Sequence, residues 1–255
     1  MHRRQVLGLG AIALVTLPLF PKGSLAEGTF TIKVFADEPL KPALEKIGAA
    51  FERNTSNTVQ FVFAPSPVIQ RRIGGGEAAD VVILQPSFIA LLAKDGKVAT
   101  GEHPVFTRVG FALGVREGAK QASGVSTAEA LKQVLLQADL LVCNNRASGD
   151  HFMKVLDRLG IADAVKAKVA RLEPPDVFAR VLTESGNAVA VGTATQIKAT
   201  SGLKLIGPFP GDLQNYIPYA VATTVPSQSG ETARAFASFV QSDAAKAEFQ
   251  SAGGE

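Results

Sequence analysis

Short apolar runs alternate with amphipathic stretches from residue 30 to residue 249, and this alternation leaves few folds open. Residues 30–36 (Phe-Thr-Ile-Lys-Val-Phe-Ala) read as a strand between Gly28 and Asp37. Leu40, Leu44, Ile47 and Phe51 then recur at helical spacing, which predicts a helix with one apolar face. A second strand follows over 59–63. Ile69 and Ile73 mark a short helix ended by Gly74-Gly75-Gly76, and Val81-Val82-Ile83-Leu84 has the continuous apolar character of a central parallel strand. Ser87 is expected to cap the next helix, with Leu91 and Leu92 buried and Gly96 at its end. The second half repeats the style. Strands are predicted at 109–115, 140–143, 189–192 and 219–223. Helices are predicted at 149–159 and 177–184, through Phe239 and Phe249, and after a capping box at Ser126-Thr127-Ala128-Glu129. Such alternation predicts an α/β fold with parallel sheets covered on both faces. There is no internal repeat and no Gly/Ser-rich tether, so any lobes should be joined by strands.

The first 26 residues have a different character. Arg3 and Arg4 precede an apolar run over 6–20, and Ser24-Leu25-Ala26 places small residues where a signal peptidase reads. This predicts a signal peptide over 1–26 that is cleaved after Ala26, delivery to the periplasm, and a mature chain starting at Glu27. The run is shorter than the roughly 20 residues a membrane-spanning helix needs. Arg3-Arg4-Gln5-Val6-Leu7 also resembles a twin-arginine export signal.

Removing that segment changes the charge argument. The whole chain has 26 basic and 23 acidic residues, but Arg3, Arg4 and Lys22 leave with the signal, so 23 of each remain. A balanced chain without a Lys/Arg run offers no field for nucleic acid, and no nucleic-acid partner is expected. Cys143 is the single cysteine and sits in the run Leu140-Leu141-Val142-Cys143, so a buried strand thiol is expected rather than a nucleophile. Absence of a multi-Cys motif, of a His-x-x-x-His pair and of a Walker loop predicts no metal and no cofactor.

Parallel sheets bind ligands beyond the carboxyl ends of their strands, where helices begin. Three such junctions stand out. At Ala64-Pro65-Ser66-Pro67, Ser66 suits an N-cap and Pro67 a first helical residue; the helix start could receive an anion, or Ser66 could merely cap its own helix. At Arg146-Ala147-Ser148-Gly149-Asp150-His151, Gly149 would let a ligand approach the backbone. Ser148 offers a hydroxyl and an N–H, and Arg146 offers a charge for a carboxylate, or else a solvated loop charge. The neighbouring Ser148, Asp150 and His151 do not make a catalytic triad, because no strand–Gly-x-Ser-x-Gly–helix elbow is present. At Pro174-Pro175-Asp176-Val177, Asp176 can cap a helix and expose the Val177 N–H.

The order of these segments resembles the molybdate-binding proteins of bacterial ABC importers and their relatives among extracellular solute-binding proteins. The resemblance runs through Val34-Phe35-Ala36, Phe63-Ala64-Pro65-Ser66, Ala78-Ala79-Asp80-Val81-Val82-Ile83, Ala147-Ser148-Gly149 and Pro175-Asp176-Val177. Gly207-Pro208-Phe209-Pro210-Gly211-Asp212-Leu213-Gln214 is similar to a segment of relatives outside the molybdate carriers. The resemblance implies a type II periplasmic-binding fold, with two parallel-sheet lobes joined by two crossing strands and a ligand cleft between them. It implies lobe I at 27–107 plus 215–255 and lobe II at 108–214. It places Ser66, Ser148, Gly149 and Val177 at the ligand, with Arg146 beside them. Asp37-Glu38-Pro39 stands where the family has a serine, and Gly192-Thr193 where it has a tyrosine; two carboxylates near an anion site would repel it and Arg146 could compensate, so these departures bear on molybdate as the ligand and not on the fold.

The function expected is a substrate-binding protein of an ABC importer, a monomer without catalysis, that carries a molybdate-like oxyanion or a small organic acid to an inner-membrane permease. The same scaffold also resembles aconitate isomerase. In an isomerase of a small tricarboxylate, Asp37, Glu38 or His151 could supply the base against a carbon acid.

Overall fold

The computed structural model describes residues 29–119, 124–174, 176–225, 227 and 229–255. The signal-peptide expectation for residues 1–26 lies outside them. In chain order the elements are β1 (Thr31–Ala36), α1 (Lys41–Thr55), β2 (Thr58–Phe63), α2 (Ser66–Gly74), β3 (Val81–Leu84), α3 (Pro86–Lys94) and β4 (Thr107–Arg116). Then come α4 (Ala128–Gln137), β5 (Leu140–Asn144), α5 (Ala147–Arg158), α6 (Ala162–Val165), β6 (Val169–Leu172), α7 (Asp176–Thr183), β7 (Ala188–Thr193) and α8 (Ala194–Ala199). The chain ends with β8 (Leu203–Pro208), β9 (Tyr216–Thr223), α9 (Gly230–Val240) and α10 (Asp243–Ala252).

Two strands hold the lobes together. The first half of β4, Thr107 to Gly110, pairs antiparallel with Tyr219 to Tyr216 of β9. Each strand then continues into a different lobe. β9 runs on through Ala220–Thr223 against β3, which adjoins the parallel pair β1 and β2. β4 runs on through Phe111–Val115 against β7, which adjoins the parallel strands β5 and β6, while β8 pairs with β4 off this path. The parallel sheets expected from the apolar runs are present, and the crossing strands add an antiparallel member to each.

Alternation along the strands builds a core on each face. Val34 and Ala36 point into the cluster under α1, α9 and α10, where Phe51 meets Phe236 edge-on at 5.2 Å. Phe35 points the other way, towards Ile69 of α2 and Ile89 of α3. In the second lobe Leu141 and Cys143 face Phe152 and Leu156, whereas Val142 faces Val177 and Ile197. Desolvation pushes the buried Cys143 thiol up to about 11, as an inert core cysteine requires.

Some local readings differ. α3 starts at Pro86, ahead of Ser87, because proline's fixed φ suits a first helical residue. Leu92 is buried but Leu91 is 48% exposed, since consecutive helical residues point about 100° apart. Thr127, not Ser126, caps α4; its hydroxyl accepts from the Ala130 N–H at 3.1 Å, and Glu129 accepts from Gln133 instead of turning back. The strands β6 and β8 and the helix α8 had no clear periodic signal.

Candidate functional site

The carboxyl ends of β1, β2 and β3 face those of β5, β6 and β7 across a cavity of about 780 Å³, within the roughly 300–1,000 Å³ range of small-molecule sites. From the first lobe it is lined by Asp37, Glu38 and Lys41 after β1, Ser66 after β2, Gln85 after β3, and Tyr219 of β9. From the second it is lined by Asn144 at the end of β5 with Arg146 and Ser148 beyond it, Val177 and Phe178 after β6, and Thr193 at the end of β7 with Gln196 beyond it. Ser66, Arg146, Ser148, Val177, Asp37 and Glu38 are therefore brought to one place. Of the charged residues among them, Lys41 and Arg146 supply one cation from each lobe.

Asp37 is the centre of the first-lobe wall. Its N–H donates to the Ile83 carbonyl at 3.1 Å, which fixes it at the end of the β1–β3 ladder. Its carboxyl is buried and accepts the Ser66 hydroxyl at 2.5 Å. Ser66 is thus the first residue of α2, with Pro65 in the cap position. Its hydrogen is committed to Asp37 and is not offered to an anion, contrary to the capping role read from the sequence. Val68 and Ile69 direct their N–H groups to Pro65, and Pro67 has none, so the start of α2 holds fewer free donors than its position suggests.

Desolvation holds the Asp37 carboxyl above the usual carboxylate range, and Glu38 adds to this, while hydrogen bonds from Ser66 and Gln85 oppose it. A carboxyl raised on folding stabilises the fold below its unfolded value, and that contribution is lost as pH rises through the folded value. Asp37→Asn, which keeps an acceptor for Ser66, should therefore match wild type near pH 4 and melt higher at pH 8. The gain in melting temperature is expected to grow as pH rises from 4 to 8. Thermal melts of the ligand-free proteins across that range check it; a gain that shrinks with rising pH contradicts it.

Tyr219 was not flagged by the sequence, because it sits in an apolar strand. Its side chain is fully buried, and its hydroxyl neighbours Asp37 yet makes no formed hydrogen bond. Desolvation raises the phenol well above its ordinary value. Gln85, the residue after β3, Lys41, the first of α1, and Asn144, the last of β5, stand where the strand-end rule applies but carry no signal of their own in the sequence.

The second-lobe wall is organised by Asn144. Its Oδ1 accepts the N–H groups of Arg146 and Gly149, both at 3.0 Å, and its Nδ2 donates to the Ser148 hydroxyl. Among the described residues the N–H groups of Ala147 and Ser148 have no acceptor, so they are the donors left at this helix start. Arg146 occupies the cap position and donates to Glu173 at 3.1 Å; both are largely exposed. Glu173 is held below its ordinary value first by Asn145 and then by Arg146.

Two expectations are corrected. Gly149 does not line the cavity. A Cβ there would lie 1.8 Å from the Asn144 carbonyl oxygen, so its missing side chain serves the close packing of α5 on β5 rather than ligand approach. His151 points away from the cavity as well. Its Nε2 meets the Leu213 carbonyl at 3.0 Å, and its ring stacks on Phe111 at 5.3 Å. The ring is taken up by packing beside Phe111 and Phe209. Gly192 is needed for a similar reason to Gly149: a Cβ would come 2.8 Å from the Phe178 ring, which forms part of the cavity wall.

Two lobes, two crossing strands and a polar cleft at opposed strand ends define a binding protein of the type II periplasmic class. The chain belongs to the bacterial extracellular solute-binding protein family, whose model matches residues 32–255. It is 28% identical over 252 residues to aconitate isomerase from Pseudomonas sp, covering 96% of this chain and 94% of that protein. It is 25% identical over 222 residues to the molybdate-binding protein ModA of Haemophilus influenzae, covering 84% and 86% respectively. The periplasmic molybdate-binding protein of Azotobacter vinelandii superposes with a TM-score of 0.71 at 17% identity, covering 88% of this chain and 98% of that one. The substrate binding domain of a putative molybdenum ABC transporter from Clostridium difficile superposes with a TM-score of 0.71 at 18% identity, covering 89% of this chain and 99% of that one.

Proposed function

We propose that this protein is exported to the periplasm as a monomer, binds a small organic acid bearing two or more carboxylates, and hands it to an ABC permease. The division of lobes proposed is 27–107 plus 215–255 against 108–214. The observation that carries the ligand class is the pairing of Lys41 and Arg146, one on each wall of a cavity with more room than a single tetrahedral oxyanion fills. Cations on opposite lobes suit carboxylates at opposite ends of one molecule, and their neutralisation by a ligand favours closure. Apolar wall residues such as Phe63 and Phe178 suit the carbon skeleton between them. A tetrahedral dianion concentrates both charges at one point and would meet repulsion of roughly 8 kcal/mol from each ionised carboxylate at about 4 Å and an effective dielectric near 20, about twice what a single carboxylate group of an extended organic acid meets there.

A thermal-shift screen of molybdate, sulfate and mono-, di- and tricarboxylates tests this, because a ligand specific to the folded state raises its stability. The di- and tricarboxylates are expected to raise the melting temperature most. A shift with molybdate alone would overturn the ligand class.

A second reading, favoured by the buried Asp37 carboxyl, is isomerisation of a small tricarboxylate, with Asp37 as the base. A raised carboxyl value in a water-poor site is what a general base needs. Interconversion of cis- and trans-aconitate by the purified protein, lost in Asp37→Asn, would establish it in place of transport.

A further inference from the structure

We propose that ligand binding is coupled to uptake of one proton at Asp37, so that the neutral carboxyl donates a hydrogen bond to a carboxylate oxygen of the ligand while the Tyr219 hydroxyl donates a second one beside it. This rests on the reading that the cleft holds a small organic anion, and it adds the means by which an acidic wall accepts one.

The surroundings of Asp37 leave it without a counter-charge. From α2 it meets the Ser66 hydroxyl, from the start of α3 the Gln85 amide, and from β9 the Tyr219 phenol. All three are neutral. On its own turn it meets Glu38, a like charge. The cations sharing the cavity are engaged elsewhere: Lys41 with Glu45 at 3.8 Å and Arg146 with Glu173 at 3.1 Å. Thr193 and Gln196, from the α8 side, bond to each other at 2.8 Å. Among the described residues no cation lies within ion-pair distance of Asp37.

A carboxylate ligand entering this site places two like charges together in a buried setting. Carboxyls in such pairs share a proton, one staying ionised and the other neutral. The proton comes from solvent and ends on an Asp37 oxygen; the other oxygen keeps its bond from Ser66. Tyr219 adds an independent observation. Its hydroxyl is the buried side-chain polar atom without a partner among the described residues, and such a group in a binding cavity calls for an occupant. A ligand oxygen within reach of both Asp37 and Tyr219 satisfies both at once. Burial of Asp37 works towards the neutral form even before a ligand arrives.

The experiment is calorimetric titration of trans-aconitate, with molybdate alongside, from pH 6 to 9 in buffers of different ionisation enthalpy. Wild type is expected to take up about one proton at pH values above that of Asp37 in the free protein, where the carboxyl is ionised before the ligand arrives, and less below it. Its affinity should fall about tenfold per pH unit above the value of Asp37 in the free protein and be flat below it. In Asp37→Asn the amide is a permanent donor, so uptake should fall to near zero and the pH slope should vanish. Molybdate should bind this variant at least tenfold more tightly than wild type at pH 8. Tyr219→Phe should weaken binding about tenfold at every pH while proton uptake persists. Melting curves confirm that both variants are folded. Binding without proton uptake across the range, or uptake unchanged in Asp37→Asn (which would assign it to another group), overturns this proposal and leaves the anion reading standing. If no anion of the thermal screen binds wild type or Asp37→Asn, the anion reading falls and this proposal falls with it.

Discussion

Gly149→Ala is expected to lower the melting temperature by roughly 6–12 °C and to weaken ligand binding at the same time. The added Cβ would sit 1.8 Å from the carbonyl oxygen of Asn144 and 2.9 Å from its carbonyl carbon. Both are backbone atoms at the end of β5, so no side chain can swing aside. Relief requires α5 to move away from β5 by more than 1 Å, and that motion parts Asn144 Oδ1 from the N–H groups of Arg146 and Gly149. Overpacking costs about 1–3 kcal/mol; against backbone atoms the upper end of about 3 kcal/mol applies, and each kcal/mol corresponds to about 2–4 °C here. The displaced segment also carries the Ala147 and Ser148 N–H groups and Arg146, so affinity should drop with stability. Gly74→Ala is the control. It lies in α2 without positive φ, and its Cβ would meet only Gln70 Nε2 at 3.8 Å, so it should be neutral or slightly stabilising. Differential scanning calorimetry on both variants measures the contrast. Equal melting temperatures would mean that the β5–α5 junction is looser than its geometry indicates.

The second large effect concerns charge. Lys41→Ala and Arg146→Ala are each expected to weaken a tricarboxylate about tenfold, and the double variant about a hundredfold. A hydrogen bond to a charged group contributes about 1.5–3 kcal/mol, and tenfold corresponds to 1.4 kcal/mol. The lower end applies because both side chains are about half exposed and solvent screens them. The two stand on opposite walls without a shared partner, so their effects should add. A tetrahedral oxyanion held by neutral donors would show less than a tenfold loss in the double variant. Glu173→Gln runs the other way: it frees the guanidinium of Arg146 and should tighten a carboxylate ligand modestly. Calorimetry on these variants measures all of it, and a double variant that keeps full tricarboxylate affinity removes the cations from the site.

Apolar period and the ends of the apolar runs set the order of strands and helices, and the strand-end rule then pointed to Ser66, Arg146, Ser148 and Val177, with Asp37 marked only by the family resemblance; all five line one cleft. The tertiary structure decided what each residue does there. Whether the Ser66 hydroxyl points at a ligand or at Asp37 depends on a partner 29 residues away in the chain. Gly149 could be read as a ligand approach or as a packing need, and only the distance to the Asn144 carbonyl separates them. His151 and Tyr219 exchanged roles: the polar ring turned into the core against Phe111, and the tyrosine of an apolar strand reached the cleft. That exchange follows from β9 passing antiparallel beside the carboxyl end of β3, where Ala220 pairs with Leu84. A pairing between residues so far apart in the chain leaves no trace in the spacing of either segment, because it is set by how whole strands stack and not by the residues that flank them.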